Sequence, residues 1–195
     1  MDVVPVILEG KTVRLEPLRF SHATSLAQHA DPDLFSFFAG YCPEDMTEEA
    51  CRDYIRLRME TDAISFAMVL KSTDQAVGHT SFMDIRPSDR SLEIGSTWIG
   101  RAHHGTAVNA ECKFLMLQHA FENLGCVRVQ LKTDERNKHS RAAIEKLGAK
   151  FEGILRKHMI LHDGYIRNSA MYSITDDEWP AVKERCLNRL SAMNH

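Results

Sequence analysis

The chain has 195 residues, 44% of them hydrophobic and 26% charged, a composition expected of one globular domain over 1–195 with a sizeable core. Its 27 acidic and 24 basic side chains leave a formal net charge of −3. That balance argues against nucleic acid as a partner, because neutralising phosphates needs a basic excess on one face. No apolar run approaches the roughly 20 residues that span a bilayer, and Met1-Asp2-Val3-Val4-Pro5 carries neither a basic region nor a signal-peptide core.

Five dispersed cysteines (Cys42, Cys51, Cys112, Cys126, Cys186) include no CxxC pair and read as reduced thiols in a cytoplasmic protein. Ten histidines include the adjacent His103 and His104 but no ligand spacing, so no metal is expected.

Taken in chain order, Thr12 to Leu18 alternates and predicts a first strand. Ser21 is positioned to cap a short helix through about Ala30, which Asp31-Pro32 ends. The aromatic segment Leu34 to Gly40 is irregular. Asp45 and Glu48 have capping-box spacing for a helix to about Thr61, along which Glu48 and Arg52 sit one turn apart. Arg52, Arg56 and Arg58 read as its solvated face.

The period then shortens. Ile64–Leu70, Val77–Ile85 and Ser91–Ile99 are strands joined by short turns, an antiparallel meander. A long helix from Thr106 to Leu124 carries the apolar stripe Ala110, Phe114, Leu117, Phe121 and Leu124. Val127–Leu131 is a strand, and its helical crossover from Ser91–Ile99 requires parallel pairing. Asn137 caps a helix that Gly148 ends. Two strands, Phe151–Leu161 and Ile166–Ile174, flank the Asp163-Gly164 hairpin step, and Thr175 with Glu178 opens a C-terminal helix. The expected fold is α/β (α+β), with a mixed, mostly antiparallel sheet of about seven strands and helices on both faces.

Chemistry concentrates in two segments. In Trp98-Ile99-Gly100-Arg101-Ala102-His103-His104-Gly105-Thr106-Ala107-Val108-Asn109 a strand ends, a polar loop follows and a long helix begins. The first turn of a helix presents free N–H groups and a partial positive charge, so it can hold a phosphate without lysines. Gly105 and Ala107 are small enough to let a diphosphate approach. The segment is neither a GxGxxG fingerprint nor a P-loop, and a plain strand-to-helix turn would also use glycine. The second segment, Asn137-Lys138-His139-Ser140-Arg141-Ala142-Ala143-Ile144-Glu145-Lys146-Leu147-Gly148-Ala149, follows the next strand.

In that order, the two segments resemble the GNAT N-acetyltransferase superfamily, particularly its RimJ/RimL-like branch. The family turn [QR]-x-x-G-x-[GA] meets Gly105 and Ala107, but its first position falls on Ala102, with Arg101 one residue earlier. N-x-x-S-x-x-x-x-E-K-L-G-[FA] is met from Asn137 to Ala149. Some members place a tyrosine acid four residues after the serine; Ile144 stands there, which excludes it.

The resemblance implies a GNAT-like domain with a splay between two central parallel strands, and acetyl-CoA as co-substrate without metal. The arm would pair with the backbone of Trp98, Ile99 and Gly100, with Arg101 and His104 alongside. The diphosphate would sit on Gly105, Thr106, Ala107, Val108 and Asn109, and Asn137 and Ser140 would face the arm or the sulfur. It implies an amine acceptor, a protein N-terminus or a small molecule, and leaves room for a homodimer.

Direct attack in a ternary complex needs an oxyanion donor, a leaving thiolate and a base. Glu93, on the strand leading into the splay, is the candidate base, and pairing with a basic neighbour is its competing role. Ser140 is the candidate thiolate donor, and a second capping hydroxyl is its competing role. Cys112, inside the long helix, is not expected to form an acyl-enzyme. A non-catalytic acyl-CoA sensor of the same fold is the rival reading.

Overall fold

The strands are β1 (Leu8–Glu9), β2 (Val13–Pro17), β3 (Ile64–Leu70), β4 (Gln75–Arg86), β5 (Ser91–Ile99), β6 (Arg128–Asp134), β7 (Lys150–Ile160) and β8 (Ile166–Thr175). They form one sheet in the order β1-β2-β3-β4-β5-β6-β8-β7. This computed structural model describes residues 1–39, 42–43 and 45–193, so Gly40, at the end of the aromatic segment, lies outside the described residues. The helices are α1 (Ala23–His29), α2 (Glu48–Met59), α3 (Ala107–Gln118), α4 (Lys138–Leu147) and α5 (Trp179–Met193).

The sheet has eight strands where the alternation predicts seven. The added one, β1, is two residues long, too short to show a period, and pairs Leu8 with Leu15 and Glu9 with Arg14. Its turn is held from across the molecule. Glu111 of α3, itself buried, accepts hydrogen bonds from the backbone N–H groups of Lys11 (2.7 Å), Thr12 and Val13 (both 2.9 Å). A carboxylate at that depth needs such donors to offset its lost hydration.

Two helix starts differ from expectation. Ser21 does not cap α1; it lies in a 3-10 turn, Phe20–His22, where the His22 ring accepts from Arg19 N–H and meets Glu16 at 2.7 Å. The cap of α2 is Thr47, whose hydroxyl accepts from Ala50 N–H. Asp45 supports that cap by accepting from the Thr47 hydroxyl at 2.8 Å, and Glu48 turns to Arg52 and Thr24 instead of closing a box. The α3 and α4 caps are Thr106 and Asn137.

Strand alternation divides the core. Val13, Leu15, Val77, Leu92, Ile94, Val129, Leu131, Tyr172 and Ile174 pack with α3, α4 and α5 on one face. Ala67, Val69, Ala76 and Trp98 pack with α1, α2 and Phe35 on the other. Phe35 is therefore core. The α1–α2 layer covers β2 to β5 and leaves the same face of β6, β8 and β7 without a helix. Three polar ladders occupy it: Arg128 with Glu152, Gln130 and Lys132 with Glu93, and Asp134 with Arg136.

Candidate active site

β5 and β6 run parallel and pair over three positions only, Ser91 with Arg128, Leu92 with Val129 and Glu93 with Gln130. Beyond Glu93 they part. β5 continues against β4 through a bulge, where the register jumps between His79/Trp98 and Ser81/Gly95 and Ser96 adopts φ 50°. A bulge bends its strand away from one neighbour. From Ile94 to Ile99 the β6-facing edge of β5 is left without a strand partner.

Glu93 stands at the vertex of the splay. With Leu92 and Ile94 in the α3-side core, alternation turns it to the α2 side. It is 2% exposed, and its Oε2 accepts from Lys132 Nζ at 2.6 Å and Gln130 Nε2 at 2.9 Å. Its Oε1 accepts nothing among the described residues. The ion pair that competes with the base role is thus present, with one oxygen left over.

Trp98 and Ile99 are core residues, and the Trp98 ring donates to Tyr54 Oη at 3.3 Å. Their backbone alone is available at the splay. Gly100 is needed for packing, since a Cβ there would lie 2.9 Å from His29 Cβ. Arg101 is committed elsewhere, donating to Asp31 at 2.6 and 3.2 Å and to Asp33 at 2.7 Å. That fork ties the loop to the α1 end and takes the guanidinium out of the pool of phosphate donors. Gly105 adopts φ 76°, where a side chain is strained, and a Cβ on it would project into open space. Thr106 caps α3 by accepting from Val108 N–H at 3.4 Å, the Val108 side chain is core, and Ala107 follows the cap directly. Asn109 Oδ1 is buried with no hydrogen-bond partner.

His104 Nε2 meets the Ile99 carbonyl oxygen at 2.9 Å, and its ring stacks on His139 at 6.1 Å and 21°. This contact joins the loop after β5 to the start of α4, the two arms of the splay. His103 packs on His29 at 5.3 Å, and burial, with the neighbouring His29 and His104, lowers its pKa. Asn137 Oδ1 accepts from Ser140 N–H at 3.0 Å, so the asparagine does the capping. The Ser140 hydroxyl is left without a partner among the described residues. Ile144 is buried, 8% exposed.

Several residues around the site were missed or misread from sequence. Lys113, one turn beyond Asn109, donates to Thr97 at 2.6 Å and Thr80 at 3.2 Å, and burial pushes its pKa down to about 8. Arg58 leaves the solvated face of α2 and donates to the Ser96 hydroxyl at 3.1 Å, which corrects its reading as a surface charge. Arg167 of β8 donates to the Phe37 carbonyl at 3.1 Å. His158 meets Ser169 at 3.0 Å, and burial, then Lys132 and Arg167, lower its pKa. The signal was the polar alternation of Arg128, Gln130, Lys132 and of Arg167, Ser169 opposite the apolar positions. Among the described residues no group of three His, Cys, Asp or Glu is placed to hold a metal ion, and no helix is long and apolar enough to cross a membrane.

The sequence that folds in this way is matched by a family model. The model described as "Acetyltransferase (GNAT) domain" covers residues 12–150. The chain belongs to the GNAT acetyltransferase family. Its GNAT relatives include "Probable N-acetyltransferase YjcK" of Bacillus subtilis (strain 168), 28% identical over 88% of this chain and 99% of that protein. A GCN5-related N-acetyltransferase from Brucella melitensis superposes with a TM-score of 0.89, at 31% identity over 96% of this chain and 86% of that chain. The ribosomal-protein-S5-alanine acetyltransferase from Vibrio fischeri, at 18% identity over 89% of this chain and 98% of that one, has a TM-score of 0.71 and shares the GNAT fold alone.

Proposed function

We propose that the whole chain is one catalytic domain of RimJ/RimL-like type that moves an acetyl group from acetyl-CoA to a primary amine, directly and within a ternary complex. The observation that carries this reading is the parting of β5 and β6 immediately after Glu93 and Gln130. The residues present fit such a co-substrate. The free edge of β5 can take an extended arm as an added strand, and open space lies over Gly105 at the α3 cap. Asn109 offers a buried acceptor oxygen with no partner, which suits an N–H donor of the arm and not the diphosphate. When bound, acetyl-CoA supplies the activated acetyl group and a leaving thiolate whose conjugate thiol has a pKa near ~8.5.

The chain's own groups do the rest. The N–H groups of the first α3 turn hold negative charge, and a backbone N–H of β5 at the bulge donates to the developing oxyanion. Ser140 Oγ donates to the sulfur, and Asn137 contributes only what its cap leaves free. Glu93 Oε1 takes the proton from the attacking amine, directly or through one water. Cys112 plays no covalent part: it is fully buried, and burial pushes its thiol up to about 12. The competing reading, a sensor that binds acyl-CoA without turnover, is favoured by Lys132 engaging Glu93 Oε2.

Calorimetric CoA binding, beside thiol release from acetyl-CoA with a panel of amines, separates the two. The proposal expects binding and amine-dependent release. It also expects no acetyl adduct on any cysteine by mass spectrometry in the absence of acceptor. Binding without release for any amine supports the sensor, and a stoichiometric adduct on Cys112 or Cys126 overturns direct transfer.

A further inference from the structure

The face of β6 and β8 that no helix covers, with the adjoining edge of β5, is rich in cations, and of its carboxylates only Glu93 Oε1 is not engaged. Lys132 takes Glu93, and Arg136 takes Asp134 through two bonds of 2.8 and 2.9 Å. Asp163, at the hairpin turn, also acts on Arg136. Two guanidiniums, Arg58 at the Ser96 bulge and Arg167 on β8, then have no carboxylate within salt-bridge distance among the described residues. Arg58 reaches the bulge through one Nη1 bond to Ser96, and its Nε is buried without an acceptor. Arg167 is 6% exposed, its one bond goes to a backbone carbonyl, and its Nε is likewise buried and unpaired. Neither a hydroxyl nor a carbonyl neutralises a guanidinium. Burial lowers the Arg167 pKa, and Asp134 and Glu93 only partly offset that.

Unused donors on a buried guanidinium carry a cost, and although the Tyr54 ring lies 5.3 Å from the Arg58 guanidinium, only an anion would satisfy both the donors and the charge. A polycationic amine entering this face would add charge beside Arg58 and Arg167, which no carboxylate pairs, whereas Lys132 and Arg136 are already paired. An acceptor with its own carboxylate would supply what both guanidiniums lack, in the planar geometry they match. Resting on the acetyltransferase reading above, we propose that the acceptor is a primary amine bearing a carboxylate, held by Arg58 and Arg167 near the splay beside Glu93.

The test compares kcat/KM for matched pairs of amino acids and their carboxamides, with acidic dipeptides and spermidine as further arms. The protein is the full chain, as wild type, Arg58→Gln, Arg167→Gln and Arg167→Lys, each checked for folding by circular dichroism. Amino acids are expected to exceed their amides about 10- to 100-fold, the scale of a charge-assisted hydrogen bond. That preference should collapse in Arg58→Gln and Arg167→Gln and partly return in Arg167→Lys. Preference for acidic dipeptides over free amino acids would assign the carboxylate to a peptide. Amides or spermidine equalling or exceeding the amino acids would overturn this inference while leaving the acetyltransferase reading intact. Failure of every amine to promote release would overturn that reading. Thermal stabilisation by amino acids over amides, with CoA present, then tests the carboxylate site without turnover, and equal shifts would overturn it.

Discussion

Replacing Glu93 with glutamine keeps its shape and deletes its charge, which leaves Lys132 Nζ, 16% exposed at the side chain, without a counter-charge. Removing one partner of a buried pair costs about 3–5 kcal/mol. Residual solvation of Lys132 places this case near the lower end, about 3 kcal/mol. For a chain of 195 residues that corresponds to a fall in Tm of about 6–12 °C. If Glu93 is also the proton acceptor, thiol release at saturating acceptor should fall by about 10²–10⁴-fold. The deficit should shrink as pH rises and more amine is already neutral. Lys132→Met strands the more deeply buried partner, so its stability loss should be at least as large. The double variant Glu93→Gln/Lys132→Met decides between roles. Neither charge is left unpaired, so stability should largely return, with a coupling energy of about 2–3 kcal/mol by urea unfolding. Activity should not return, because no carboxylate is present to take the proton. A double variant that turns over at near wild-type rate would refute Glu93 as the base and reduce it to one half of an ion pair.

Gly105→Leu should weaken CoA binding sharply by calorimetry while costing only about 1–2 kcal/mol of stability, the strain of a side chain in the left-handed region, since nothing lies within 4 Å of its Cβ. Unchanged affinity would move the phosphate site elsewhere. His79 is fully buried between Tyr54 Oη at 2.9 Å and Ser81 Oγ at 3.2 Å, and burial pushes its pKa down to about 3. Its neutral form is held only in the folded state, so its contribution is complete above pH ~6.5 and is lost as pH falls towards 3, about 5 kcal/mol in all at 1.36 kcal/mol per unit. His79→Gln should remove that part of the acid sensitivity in urea unfolding at pH 7 and 4.5, and an unchanged pH slope would refute it. Lys113 works in the opposite range. Its folded pKa of about 8 lies below its unfolded value, so its penalty is complete below pH 8 and fades towards pH ~10.5. Lys113→Met should therefore raise Tm at pH 7 by more than at pH 10, and equal gains would show that burial of the charge is not the cause.

The sequence by itself determined most of the architecture, because its signals are local. The period-two runs of the meander, the stripe of α3, the frame from Asn137 to Gly148 and the order of the two motifs each lie within a few turns of chain. The order of elements followed, and so did the parallel pairing of Ser91–Ile99 with the strand after α3. Only the tertiary structure decided what each polar side chain does, because its partner stands far away in the chain. Glu93 meets Lys132 across 39 positions, Arg101 is spent on Asp31 across 70, and Glu111 holds the turn at Lys11 across 100. Arg58 leaves a helix face that reads as solvated because the bulge at Ser96 brings a hydroxyl within its reach. Charges acquire their roles from burial and from the nearest opposite charge, and both are set when β5 parts from β6 and Glu93, Lys132 and Arg167 meet on one side of the sheet.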